Sequence, residues 1–244
     1  MIERQLEIVT RDGATTTLIT HPERGGPHPV ILFYMDAPGI REELRDMARR
    51  LASAGYYVML PNLYYRAGVM ELSAVPGLDE AARRARMFEL MNSLSIPLIM
   101  SATEALLEFA AKDPAAKGGP IGTVGYCMSG QFAINAATHF EGIAAAASIY
   151  GVRLVTEEPD SPHLAGQRTS AELYFACAEI DHWAPLEMLP PLRDALAASG
   201  AQAEVELYPG VEHGFAFPGR AAYDRDAAER HWERLFALFR RRLA

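Results

Sequence analysis

Cys127, Asp181 and His213 follow one another along the chain as thiol, carboxylate and imidazole, each at a turn after an apolar run. Together these three side-chain types make a nucleophilic catalyst. An imidazole of ordinary pKa, about 6.5, takes the thiol proton and later gives one to a leaving group. The carboxylate keeps the other ring nitrogen protonated and aimed. The freed sulfur can then attack a carbonyl carbon and hold an acyl group.

The thiol lies in Gly125-Tyr126-Cys127-Met128-Ser129-Gly130, between Ile121-Gly122-Thr123-Val124 and the small-residue stretch 132–137. This reads as strand, tight turn, helix. A nucleophile there stands above the end of a sheet, and the helix that follows aims free N–H groups and a partial positive charge at it. Both favour thiolate over thiol. Glycines serve where strand and helix nearly touch. The usual elbow is Gly-X-Ser-X-Gly, so Ser129 departs at its last position, with Gly130 following. Cysteine is also a common buried residue, and the competing reading is plain packing.

The elements that must position these groups alternate between strand and helix, the pattern of a doubly wound sheet. Leu6 to Val9 and Thr15 to Thr20 flank Arg11-Asp12-Gly13 as a hairpin. Val30 to Met35 is a central strand and Tyr56 to Leu60 another, with a helix from Glu42 to Ala54 between them, closed by Gly55. Asp79 to Leu94 and Pro97 to Ala111 are helices that precede the elbow strand. Ile143 to Tyr150 is a further strand. Glu172 to Cys177 runs toward Asp181, and Ala203 to Tyr208 alternates and runs toward His213. A helix from Leu186 to Ala198 and a terminal helix from Asp224 to Leu243 complete the chain. With no repeat, low-complexity tract or linker, residues 1–244 read as one domain.

Taken with these motifs, the chain resembles the dienelactone hydrolase family of the α/β-hydrolases over nearly its whole length. The residues that carry the resemblance are 125–130, Ala178-Glu179-Ile180-Asp181-His182 and His213-Gly214-Phe215-Ala216, supported by 31–40 and 55–66. It implies an α/β-hydrolase fold, a mostly parallel sheet with helices on both faces. It also implies a Cys127, His213, Asp181 triad that hydrolyses small lactones or esters of the carboxymethylenebutenolidase type without a cofactor. The family's pattern further has a carboxylate, usually Glu, where Asp36 stands, one methylene shorter, to reach the thiol; the alternatives for this side chain are Arg41 or solvent. On the same pattern the amides of Met128 and Ala37 form the oxyanion hole. An arginine is expected four residues after the His, where this chain has Phe217. A second arginine matches Arg84 among Arg83, Arg84 and Arg86, against a solvated helix face as the alternative. A more apolar pocket and a different substrate follow. Tyr64, with Tyr65 and Arg66, follows a strand end and lines the pocket or packs.

Composition narrows the alternatives. A chain of 244 residues that is 50% hydrophobic can bury a large core. Its net charge of -8 argues against nucleic acid or an anionic membrane as partner. The remaining partner class is a small-molecule ester or lactone, with a monomer or small homo-oligomer expected. Two cysteines offer no disulfide framework, and Cys177 falls in a buried strand. The start is too charged for a signal peptide and no long apolar run follows, so a cytoplasmic location is expected. No zinc spacing and no phosphate loop occurs. His21, His28, His139, His163 and His231 have no motif around them and read as surface or packing residues. The reading from another class is a redox protein that uses the same activated thiol. A third is a binding module with a relic site.

Overall fold

At the amino end the expected hairpin forms as β1 (Ile2–Thr10) and β2 (Gly13–His21), antiparallel, with Arg11 and Asp12 as its turn. The computed structural model describes all of residues 1–244. They form two compact units, Met1–Gly118 and Gly119–Ala244, inside the span that the sequence reads as one domain.

The first unit adds β3 (Val30–Tyr34), α1 (Glu42–Ser53), β4 (Tyr57–Pro61), α2 (Glu80–Asn92) and α3 (Ile96–Ala110). Its strand order is β1-β2-β4-β3, with β3 and β4 parallel. Every residue of β3 and β4 is buried, as their continuous apolar character requires. Helix α1 buries Leu44, Met47, Ala48, Leu51 and Ala52, a single stripe at helical spacing, with Glu42 and Glu43 in its first turn and Arg50 in its last. Asp79 caps α2 by accepting from the Ala82 amide, and Ser95 caps α3 by accepting from Leu98.

The second unit contains β5 (Ile121–Tyr126), α4 (Gly130–His139), β6 (Ile143–Ile149), the single turn α5 (Pro162–Ala165), β7 (Glu172–Ile180), α6 (Leu189–Ser199), β8 (Ala203–Glu212) and α7 (Arg225–Leu243). The order β5-β6-β7-β8 is parallel throughout. Helix α6 starts three residues later than the sequence suggests, after a 3-10 turn at Leu186–Met188. Pro190 and Pro191 explain this, because residues without an N–H fit only a helix's first turn. No single helix is long and apolar enough to cross a membrane.

Two strands run further than expected, and that extension builds the site. Strands β7 and β8 reach Ile180 and Glu212, past the predicted ends at Cys177 and Tyr208. Pro209 has no ladder donor and Gly210 has φ 71, so the pairing breaks between Ala178 and Ile180 and resumes as Ile180 opposite Glu212. The Glu179 carboxylate accepts from the Gly210 amide at 2.6 Å across this irregularity.

Candidate active site

The turn after β5 places Cys127 at φ 54, a left-handed conformation that side chains with a Cβ rarely adopt. Its surroundings enforce it. A Cβ on Gly125 would lie 2.1 Å from the Ser129 carbonyl oxygen, so strand and turn meet only because this residue is glycine. A Cβ on Gly130 would lie 2.3 Å from Ser148 Oγ and 2.7 Å from the Gly151 Cα. Gly130 therefore makes the close approach to β6, and Ser129, fully buried, is tolerated where the usual elbow has its last glycine. The Cys127 carbonyl accepts from the Val152 amide at 3.1 Å, and the Met128 carbonyl accepts from the Gln131 side chain at 3.0 Å. Cys127 itself is part-exposed.

Asp181 follows β7 directly. Its Oδ1 accepts from the amides of Trp183 at 2.8 Å and Ala184 at 3.0 Å, so the loop locks the carboxylate in place. Its Oδ2 accepts from His213 Nδ1 at 2.7 Å. The pairing of Ile180 with Glu212 puts the next residues side by side, and the His213 amide donates to the Ile180 carbonyl at 3.2 Å. With Nδ1 committed to Asp181, the carboxylate and the imidazole meet directly.

The other ring nitrogen, Nε2, is buried and has no hydrogen-bond partner in the resting site. Burial by itself would lower the His213 pKa. The Asp181 hydrogen bond, then the influence of Cys127, then the charge of Asp181, outweigh it and hold the ring at about 9. The Tyr150 ring packs on His213 with centroids 4.9 Å apart. Tyr150 follows β6 with φ 36, and its amide donates to the Ala176 carbonyl at 2.7 Å. Sequence reading missed Tyr150; its place at the carboxyl end of a parallel strand was the available signal.

The remaining expected residues are placed as follows. Asp36 is fully buried, and its two oxygens accept from Arg41 at 2.6 and 3.2 Å, the Arg41 alternative weighed for it. The Ala37 carbonyl accepts from the Tyr64 hydroxyl at 2.9 Å, and Tyr64 is buried, so its ring packs rather than offering surface. Arg84 is exposed on α2 with its guanidinium 5.9 Å from the Phe88 ring centroid, on the solvated face. Phe217 is fully buried beside Tyr126 and Tyr150, with Arg220 4.7 Å over its ring, and presents no surface to a ligand. His182 is exposed. No three His, Cys, Asp or Glu side chains converge as a metal site requires.

Several known proteins resemble this chain in sequence or fold. A Methylorubrum extorquens protein provisionally named carboxymethylenebutenolidase is 27% identical over 98% of this chain and 81% of its own length. A Yersinia pestis protein of the same provisional name is 28% identical over 88% of this chain and 78% of its own. A solved structure from Klebsiella pneumoniae, provisionally named a dienelactone hydrolase, superimposes with a TM-score of 0.87, covers 98% of both chains and is 24% identical, which shows the fold. The dienelactone hydrolase family profile matches residues 15–243. With that match on an α/β-hydrolase fold, the chain belongs to the dienelactone hydrolase family, hydrolases that act on lactones or esters.

Proposed function

We propose that this protein hydrolyses a small lactone or carboxylic ester through an acyl-enzyme on Cys127. The observation that carries the reading is His213, tied through Nδ1 to Asp181 at 2.7 Å and raised in pKa first by that bond and then by Cys127. The Cys127 thiolate attacks the carbonyl carbon, and the Met128 amide, among the groups the family pattern implies, stabilises the oxyanion. The carbon–oxygen bond then breaks, and the imidazolium of His213 delivers its proton to the leaving oxygen. Water attacks the thioester while His213 takes the water's proton. Collapse of this second intermediate releases the carboxylic acid and restores the thiolate.

The arginine that the family pattern has at position 217 is absent from this chain, which supports a less acidic substrate than a dienelactone. The redox alternative finds no support in Cys177, because burial pushes that thiol up to about 12, too high to resolve a sulfenic acid readily. The test is a hydrolysis screen of small lactones and aryl esters with and without a thiol-alkylating agent. Turnover is expected to be abolished by alkylation and by Cys127→Ala, the variant keeping its fold, and Cys127→Ser should retain little activity. Equal turnover in Cys127→Ala would remove the proposal.

A further inference from the structure

We propose that His231, on α7, is a positioning residue for the nucleophile. It anchors Tyr126, the residue just before Cys127, and so holds the left-handed elbow; the inference rests on Cys127 being the nucleophile.

Both partners are enclosed. His231 is fully buried and Tyr126 is 1% exposed. The His231 Nδ1 hydrogen goes to the Ala228 carbonyl one turn earlier in α7, because a carbonyl can only accept. In the neutral ring, Nε2 is then the acceptor, and the Tyr126 hydroxyl donates to it at 3.0 Å. The helix therefore fixes the tautomer of His231, and the tautomer fixes the direction of the tyrosine bond.

A sparsely populated backbone conformation persists only where its surroundings over-determine it. On the carboxyl side of Cys127 the close packing at Gly130 does this. On the amino side the restraint is Tyr126, whose ring also meets Phe217 at 5.5 Å and Tyr150 at 5.8 Å between centroids. Tyr150 in turn packs on His213 at 4.9 Å. His231 thus braces both members of the reacting pair, Cys127 through the chain and His213 through two rings. The enclosed hydrogen bond is directional where ring packing is not, and that gives the elbow one orientation rather than several.

The test uses the full chain with Tyr126→Phe, which deletes the hydroxyl and keeps the ring contacts, and His231→Leu, alone and combined. Each single variant is expected to lower kcat about tenfold at little changed KM, and the double variant should be no worse than either. Alkylation of Cys127 by iodoacetamide should lose its coupling to His213, its pH profile moving toward that of an ordinary cysteine. A purely structural role would lower the melting temperature and leave kcat and the alkylation profile alone; that result in Tyr126→Phe overturns the inference. Absence of ester turnover in the wild type would instead sink the proposed function, and the alkylation profile would still decide the role of His231.

Discussion

Asp181 gives one carboxylate oxygen to its own loop and the other to His213. That division lets a single side chain act as both an anchor and a charge. Asn at this position could keep the loop contacts but not the charge. In Asp181→Asn the His213 pKa, held at about 9 in the native protein, should fall, since its strongest charge-stabilising partner is lost. In the proposed mechanism, the imidazolium that protonates the leaving group would then be lost at lower pH. The alkaline limb of kcat/KM is accordingly expected near 9 in the wild type and well below it in Asp181→Asn, and identical limbs would separate His213 from the chemistry. Asp36→Asn poses a different question. It removes the buried negative charge that pairs with Arg41, and a charged hydrogen bond of this kind is worth about 2 kcal/mol, its weakening read as a lower melting temperature. The Cys127 alkylation profile of the same variant decides the thiol-modulating role expected for Asp36: a shift to lower pH supports that role, and no shift removes it.

At the scale of elements, the elbow and the end of the β7–β8 ladder do the positioning. In the elbow the tolerance is steric. Gly125→Ala would drive a Cβ into the Ser129 carbonyl, a backbone atom that cannot swing aside. Strain of this kind is expected to cost about 3 kcal/mol or more, enough to cut the yield of folded protein and the melting temperature together. A variant as stable and active as wild type would show that the turn can relax. At the end of the ladder the tolerance lies in register. Because Ile180 faces Glu212, residues 181 and 213 emerge side by side, and a slip of one position would send one of them to the opposite face. The sequence pattern placed Asp181 and His213 in loops well past their strands, since Pro209 and Gly210 look like a strand's end. They mark an irregularity within a continuing strand instead, which the partner strand supports and a single sequence does not display.

For the whole molecule, stability against pH follows from groups titrating in opposite directions. The Asp12 carboxyl is lowered to about 2, chiefly by the Arg66 hydrogen bond, and Glu206 is also lowered, its Tyr174, Arg234 and Arg230 hydrogen bonds outweighing burial. Such depressed carboxylates stabilise the fold fully above their unfolded values of 3.8 and 4.5, and the contribution is lost as pH falls through the folded values. His213 runs the other way. Raised from 6.5 to about 9, it contributes fully below 6.5, and the contribution is lost as pH climbs through 9. The melting temperature should therefore peak between roughly pH 4.5 and 6.5. In His213→Ala the fall on the alkaline side should flatten while the acid side stays put. A wild-type melting temperature that keeps rising from pH 6.5 to 9 would contradict this assignment.

The sequence by itself determined the alternation of strands and helices, the elbow around Cys127 and the chain order of Asp181 and His213. These are legible because burial periodicity, turn glycines and helix caps act over a few residues. Whether a given polar or aromatic side chain serves the site depends on neighbours distant in the chain, and that was left to the tertiary structure. It turned Asp36 to Arg41, sank Phe217 and Tyr64 into the interior, left Arg84 on an exposed helix face, and brought Tyr150 to His213 and His231 to Tyr126. The reason is physical. A hydrogen-bond partner or a ring contact is chosen by register and packing across elements, and the same residue types could satisfy themselves in several ways until those elements meet.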